Sequence, residues 1–229
     1  MSNEVKYSVS VASLNLARLE DDLHALESAG CDELHVDIMD GVFVPDFGFG
    51  FDTIKAVKRC CGIPCHAHLM IAHPEDYVER FAQAGCSSVT VHVEACVHGH
   101  RVLSQIRDAG ASPGIAINPA TSLTKLDYLL DGADRVLILT IEVGSEGPAP
   151  IRNAYDRVRL LKENITYREL RAKIEVESDL DVRNAALFLN AGAEILVPSD
   201  PIFSGGDTPG DALRAFKEAV ALERKLHGK

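Results

Sequence analysis

Histidine and carboxylate side chains recur two residues apart in three short apolar segments of the sequence, and these side-chain types bind divalent metals and transfer protons. The residues are His35, Asp37, His66, His68, Glu175 and Glu177. Because successive side chains of a β-strand leave opposite faces, residues two apart share one face. Imidazole nitrogens and carboxylate oxygens together favour Zn²⁺, and Fe²⁺, Mn²⁺ or Co²⁺ are alternatives. The sequence therefore predicts one divalent metal site that several strands build together.

Two alternatives give these residues a structural role without a metal. In a single strand, two buried polar groups that hydrogen-bond to each other would give the same pattern, but its repetition in three segments favours the metal. His92, with Glu94 two residues later, belongs either to the same site or to a core whose histidine has its hydrogen bonds satisfied. The sequence leaves both interpretations of His92 open.

The segments that carry these residues belong to a repeating pattern of short β-rich runs and longer amphipathic runs. The predicted strands are 7–11, 33–38, 64–69, 88–93, 114–118, 135–141, 173–176 and 194–197. The predicted helices lie near 17–29, 51–60, 74–84, 99–109, 122–131, 151–163, 181–191 and 209–226. Strict alternation predicts a parallel sheet, and eight units in 229 residues match an α/β fold of the (β/α)₈ barrel type. An open doubly wound sheet is the alternative, but no G-x-G-x-x-G follows the first strand.

The composition excludes several classes of protein. With 46% hydrophobic residues and no linker-like segment, the 229 residues predict a single ordered domain over 1–229. A net charge of −11 argues against nucleic acid and anionic membranes as partners. The N-terminal residues form no apolar signal-peptide core and no run is long enough to span a membrane, so we expect a cytoplasmic protein with reduced cysteines.

Several segments resemble the signature blocks of the ribulose-phosphate 3-epimerase family. They are Ser10, the block H-x-D-x-M-D-G-x-F-V-P that begins at His35, the run H-L-M at 68–70, T-V-H-V-E at 90–94 and N-P-A-T at 118–121. The similarity extends in order from about residue 7 to residue 203. The resemblance implies a (β/α)₈ barrel and an isomerase that inverts carbon 3 of a ketose phosphate with the help of a metal ion. It also implies a homo-oligomer whose partner molecule is a small sugar or sugar phosphate.

The resemblance implies roles for individual residues. His35, Asp37 and His68 match three metal ligands of the family, and Glu177 stands where the family has an aspartate as the fourth. Asp37 and Glu177 would also be catalytic, exchanging protons with opposite faces of the substrate while the metal stabilises an enediolate. The implied substrate-binding residues are Ser10, Met39, Met70, Gly144, Gly147, Ser178, Ser199 and Asp200. For the two methionines, ordinary core filling is the alternative.

The loops after predicted strands 6, 7 and 8 depart from the family pattern. The family has glycines there, whose backbone N–H groups contact the substrate phosphate, whereas this chain has Glu146, Asp179 and Asp200. Like charges about 4 Å apart at an effective dielectric of about 20 repel by roughly 4 kcal/mol, or about 1,000-fold in affinity. These acids therefore weaken the expectation of phosphate binding.

Three hypotheses for the function follow. The first is a metal-dependent 3-epimerase of D-ribulose 5-phosphate or a related ketose phosphate. It requires either that the acids in the three loops face solvent or that the segment 204–206 (S-G-G) holds the phosphate. The second is the same chemistry on a non-phosphorylated or amino-bearing sugar, which the acidic loops favour. The third is a barrel without catalysis that acts as a binding module, and retention of all four metal-ligand positions argues against it.

Overall fold

The structure is a computed structural model that describes residues 5–142 and 150–227. Eight parallel strands pair in sequence order within these residues, and the first pairs with the last to close a barrel. They are β1 (Lys6–Ser10), β2 (Glu33–Met39), β3 (Cys65–Met70), β4 (Ser88–His92), β5 (Ser112–Ile117), β6 (Arg135–Leu139), β7 (Lys173–Glu177) and β8 (Ile195–Val197). The predicted (β/α)₈ fold class is confirmed, and each predicted strand ends within two residues of its observed counterpart.

Helices surround the barrel and connect most of the strands. They are α1 (Leu19–Ser28), α2 (Phe51–Cys60), α3 (Val78–Ala84), α4 (Gly99–Asp108), α5 (Ala154–Tyr167), α6 (Val182–Ala191), α7 (Asp200–Phe203) and α8 (Pro209–His227). No helix in the described ranges has the length and apolar character needed to cross a membrane.

One predicted helix is wrong and one observed helix was not predicted. The segment 122–131 forms a short 3₁₀ turn at Leu123–Leu126 instead of an α-helix. Its amides bond to carbonyls three residues back, as Lys125 does with Ser122, which is the tighter 3₁₀ pattern. Leu126 and Leu130 are nevertheless buried, so the apolar periodicity that suggested a helix is satisfied by this turn. The one-turn helix α7 has too few residues to show a periodicity.

The strands separate an apolar outer layer from a polar interior. Leu34, Val36 and Ile38 of β2 belong to the large apolar core that also includes the buried side chains of the surrounding helices. The alternate residues of β2, His35 among them, point into the barrel because side chains of a strand alternate between its faces. In the interior, a small apolar cluster of Ala116, Leu137 and Leu139 completes the packing. The two-residue spacing noted in the sequence therefore places the polar pairs inside the barrel.

A buried ion cluster fills the floor of the barrel, near the amino ends of the strands. Arg135 donates to both carboxylate oxygens of Glu33, at 2.8 and 3.0 Å, and to Glu175 Oε2 at 3.0 Å. The hydroxyls of Ser8 and Ser88 each donate to Glu33 at 3.1 Å. The guanidinium thereby neutralises two carboxylates that burial would otherwise make very costly. This floor cluster (Arg135, Glu33 and Glu175) ties β2, β6 and β7 together.

Candidate metal and catalytic centre

Four side chains from three strands bring one atom each to a common point above the floor of the barrel. They are His35 and Asp37 of β2, His68 of β3 and Glu177 of β7. His35 Nε2 lies 3.1 Å from Asp37 Oδ1 and 3.3 Å from His68 Nδ1. Glu177 Oε2 lies 3.3 Å from the same His35 atom and 3.1 Å from His68 Nδ1. The structure thus brings together the four residues that the sequence suggests as metal ligands, and we call them the four-ligand centre.

The spacing of these atoms fits a tetrahedral ion. Donor atoms about 2.0–2.1 Å from the centre of a tetrahedron lie about 3.3 Å from one another, close to the distances observed here. Glu177 Oε2 is buried and has no hydrogen-bond partner in the part of the chain that the structure describes. Its short contacts to His35 and His68 therefore lack the direction of hydrogen bonds. An anionic oxygen buried without a partner is costly, and a cation bound at the centre would remove that cost.

The charges in the centre suit a cation as well. Burial opposes ionisation of Asp37 and Glu177, but the neighbouring imidazoles hold the pKa of both carboxyls below its usual range. Burial also opposes protonation of the histidines, yet the charges of Asp37 and Glu177 hold the pKa of His35 well above its usual value. The charge of Glu177 and a hydrogen bond to Asp37 raise the pKa of His68 to about 9. Without a cation, both carboxylates are therefore anionic and both imidazoles are protonated at neutral pH, and a bound cation would replace the imidazole protons that face the centre.

Glu175 sets the tautomer of His35. Its Oε1 lies 3.3 Å from His35 Nδ1, while its Oε2 accepts from Arg135 of the floor cluster. Burial opposes ionisation of Glu175, but Arg135 holds its pKa well below the usual range. A carboxylate only accepts hydrogen bonds, so Glu175 keeps a proton on His35 Nδ1, and Nε2 is the nitrogen whose lone pair a cation at the four-ligand centre would bind.

A chain of hydrogen bonds through His92 and Glu94, which we call the His92–Glu94 relay, sets the tautomer of His68. His92 Nε2 lies 2.9 Å from His68 Nε2, and the two rings stack with centroids 5.0 Å apart. His92 Nδ1 lies 3.3 Å from Glu94 Oε2, and the Asn118 N–H donates to Glu94 Oε1 at 2.9 Å. Burial lowers the pKa of His92. Burial opposes the ionisation of Glu94, but its hydrogen bonds lower the pKa of this carboxyl to about 2. The neutral His92 donates from Nδ1 and accepts from His68 Nε2–H, so His68 Nδ1 is the nitrogen whose lone pair a cation at the centre would bind. Of the two interpretations of His92, the structure supports membership of the site.

The substitution Glu94→Gln is expected to weaken Zn²⁺ binding about 10- to 100-fold, the usual cost of losing a partner that orients a metal-binding histidine. A glutamine can donate as well as accept, so it no longer forces the proton of His92 onto Nδ1. Competition with a chromophoric chelator measures the affinity. Glu163→Gln, which changes an exposed acid paired with Arg159, is the control and should leave the affinity unchanged. Equal affinities for the two variants would contradict the relay.

A cavity of about 310 Å³ opens beside the four-ligand centre, at the carboxyl ends of β1, β2, β7 and β8. Of the substrate-binding residues suggested by the sequence, those that line it with Asp37 and Glu177 are Ser10, Met39, Ser178, Ser199 and Asp200. Met70 does not: it is 1% exposed and enclosed at the end of β3, a strand that the cavity does not reach. The substrate-binding role of Met70 stays a prediction from the sequence. Gly144, Gly147 and Glu146 lie outside the described residues.

Ser10 orients one of the two carboxylates. Its hydroxyl donates to Asp37 Oδ2 at 3.0 Å and accepts from the Ala12 N–H at 3.3 Å. Asp37 therefore has one oxygen fixed by Ser10 and the other, Oδ1, in the four-ligand centre. The substrate-binding role that the resemblance implies for Ser10 stays a prediction beside this contact with Asp37.

Glu33 and Arg135 of the floor cluster are the residues that sequence reasoning missed, whereas it did name Glu175, His92 and Glu94. Glu33 shares its strand face with His35 and Asp37, so the two-residue spacing could have added it to the polar interior. Arg135 gave no such signal, because it is the lone charge at the start of an apolar strand. Its partners come from β2 and β7, which only the closed barrel brings next to it.

A family model and individual relatives indicate the same family for this chain. The model of the ribulose-phosphate 3 epimerase family matches residues 6–203. The chain is 37% identical over 206 residues to the ribulose-phosphate 3-epimerase of Synechocystis, covering 89% of this chain and 90% of the relative. It is 35% identical over 219 residues to that of Methanocaldococcus jannaschii, covering 96% and 92%. Among solved structures, KGPDC from Streptococcus mutans superposes with a TM-score of 0.71 at 14% identity, covering 96% of this chain and 98% of the other, which is a likeness of fold.

Proposed function

This chain belongs to the ribulose-phosphate 3-epimerase family, and we propose that it inverts carbon 3 of a ketose with Asp37 and Glu177 as the proton-transfer pair at the four-ligand centre. Family membership makes the protein an isomerase, an epimerase that acts on carbohydrates. The observation that carries the proposal is the four-ligand centre itself, at tetrahedral spacing beside a cavity that both carboxylates line. A ketose phosphate is the substrate that the names of the relatives suggest.

The two carboxylates can act on opposite sides of one substrate. Asp37 and Glu177 reach the cavity from β2 and β7, which β1 and β8 separate around the barrel. One carboxylate removes the proton from carbon 3, next to the carbonyl, and leaves an enediolate. The other then gives a proton to the opposite face of the same carbon, which inverts its configuration. A divalent cation held by the four-ligand centre would supply positive charge beside the enediolate oxygens, and we propose Zn²⁺, with Fe²⁺, Mn²⁺ or Co²⁺ also compatible with the donors.

Neighbouring side chains prepare the carboxylates for this task. Ser10 holds Asp37 Oδ2 in place, so the other oxygen keeps a constant position during proton transfer. Met39, half-buried at the end of β2, adds an apolar wall to the cavity and so limits the access of water. The relay of His92 and Glu94 keeps His68 in one tautomer. A cytoplasmic location and a homo-oligomeric state stay predictions from the sequence.

The reaction is tested by exchange of the carbon 3 proton. Wild-type protein supplied with Zn²⁺ is expected to introduce deuterium from D₂O at carbon 3 of a ketose, which NMR detects. Free and phosphorylated ketoses are both offered. Absence of exchange with every one of them would contradict the epimerase function.

The metal centre is tested by metal content after dialysis. Wild-type protein is expected to hold about one ion per chain, and His68→Ala much less, because only three of the four donors remain. His24→Ala is the matched control, since His24 is exposed and its Nε2 contacts only the Cys60 carbonyl among the described hydrogen bonds. Equal metal content in His68→Ala and in the wild type would remove the proposed centre.

A further inference from the structure

The cavity that holds the four-ligand centre is acidic beyond the ends of the strands. Asp179 follows β7 and Asp200 begins α7 after β8, and both line the cavity. Together with Asp37 and Glu177 they make four lining carboxylates, whereas no lysine or arginine lines the cavity within 5–142 and 150–227. A divalent cation at the four-ligand centre would balance Asp37 and Glu177, so Asp179 and Asp200 are the carboxylates left to repel an anionic substrate.

We propose that the substrate of this epimerase is a ketose without a phosphate group. The proposal rests on the function proposed above and narrows its substrate class. A phosphate is a dianion with only acceptor oxygens, so beside a carboxylate it is repelled and has no hydrogen to donate. A sugar hydroxyl donates to a carboxylate instead, and it adds no charge to the cavity. The acids thus favour a neutral polyhydroxylated end over a phosphorylated one.

The position of Asp200 is fixed by its contacts. The Ser13 hydroxyl donates to Asp200 Oδ1 at 2.9 Å and lies 3.0 Å from Ser199 Oγ. Ser13 follows β1 and Ser199 follows β8, so these contacts join the two loops at the rim of the cavity. These contacts hold the carboxylate of Asp200 at the rim of the cavity, where it lines the cavity and is also exposed to solvent.

A free hydroxyl in the cavity wall also suits a sugar. Ser178 is 8% exposed and lines the cavity, and its Oγ has no hydrogen-bond partner among the described residues. A buried hydroxyl without a partner is costly, and a sugar hydroxyl can both donate to it and accept from it. This serine precedes Asp179, so the two adjacent side chains offer a hydroxyl and a carboxylate to the same ligand.

The segment that could have replaced a phosphate clamp does not reach the cavity. Ser204, Gly205 and Gly206 are exposed, and none of them lines it. The helix that precedes them, α7, has four residues and begins with the carboxylate of Asp200. Its first turn therefore presents a negative charge where a phosphate would need amide donors.

The proposal predicts a preference between substrates that differ only in the phosphate. D-ribulose is compared with D-ribulose 5-phosphate, and D-fructose with D-fructose 6-phosphate, by the rate of deuterium exchange at carbon 3. One close like-charge contact lowers the affinity about 1,000-fold when solvent and salt do not screen it. Because both screen it here, we expect kcat/KM to favour the free sugar of each pair by about 10- to 100-fold. Added salt should reduce the preference.

Variants connect the preference to the acids. Asp200→Asn keeps the shape and removes the charge, so it is expected to raise the ratio of kcat/KM for the phosphorylated sugar to that for the free sugar about 10-fold. Asp52→Asn, which removes a fully exposed charge on α2, is the control and should not change this ratio. A wild-type enzyme that prefers the phosphorylated sugars, or an Asp200→Asn variant with an unchanged ratio, would overturn the proposal. Absence of exchange with all four sugars would instead overturn the epimerase function on which it rests.

Discussion

The substitutions Glu177→Gln and Asp37→Asn are each expected to lower kcat for epimerisation by about 10²- to 10⁴-fold, the usual contribution of one acid–base group. Each amide keeps the shape of the carboxylate and retains an oxygen that can bind the metal, but it no longer accepts the proton. Both carboxylates line the cavity. Burial opposes their ionisation, but the imidazoles of His35 and His68 hold the pKa of each carboxyl below its usual range. Steady-state rates at saturating Zn²⁺, with metal content measured in parallel, test the expectation.

Each of the two variants should lose hydrogen exchange at carbon 3 for a different epimer of the sugar. In a mechanism with two carboxylates, the intact one still removes the proton that faces it, so exchange at carbon 3 survives for one epimer only. Asp37→Asn and Glu177→Gln are therefore expected to exchange different epimers when each pure sugar is incubated in D₂O and followed by NMR. Glu20→Gln, an exposed position of α1, is the control and should exchange both. Unchanged turnover in Glu177→Gln would eliminate the two-carboxylate mechanism.

Removing the cation of the floor cluster is expected to destabilise the fold strongly. Arg135→Met leaves Glu33 and Glu175 buried without their counter-charge, and breaking such a pair typically costs about 3–5 kcal/mol. Urea unfolding of the metal-free protein, with the slope of the transition checked for constancy, measures the change. The substitution is nearly neutral in volume, so the lost charge rather than a cavity dominates the result.

The matched control for this experiment is Arg159→Met. Arg159 contacts two acids, Asp156 at 3.0 Å and Glu163 at 3.1 Å, but all three side chains are more than half exposed. Exposed pairs of this kind are worth about 0–1 kcal/mol, so the free energy of unfolding should change little. Similar losses in the two variants would show that the floor cluster contributes no more than a surface ion pair.

The barrel and the polar residues of its interior could be predicted because both follow from short-range spacing. Alternation with a period of two puts His35 and Asp37 on one face of β2, and eight strand–helix units leave few other arrangements of the chain. The carboxyl ends of parallel strands meet at one end of a barrel, so side chains from β2, β3 and β7 were expected to converge there. Local pattern and one topological rule gave six candidate residues, and the resemblance to the epimerase family was needed to select four of them as the metal ligands.

The rest of the site depends on contacts between residues far apart in the chain. Arg135 meets Glu33, 102 positions away, only after the barrel closes. The alternation that identifies inward positions does not say which of them meet, and the direction of the His92–Glu94 relay depends on the side-chain positions. The error at 122–131 has a different cause, because an apolar period near 3.6 is satisfied equally by a 3₁₀ turn whose leucines face the core.

Glu175 divides its two oxygens between the floor cluster and the four-ligand centre, one bound to Arg135 and the other to His35. Its position makes the stability of the barrel and the affinity for the metal interdependent properties. A substitution in the floor that loosens Glu175 changes metal affinity although it touches no ligand, and metal bound at the centre in turn protects the floor against unfolding. A substitution of Glu175 is therefore expected to change the stability of the barrel and the affinity for the metal together.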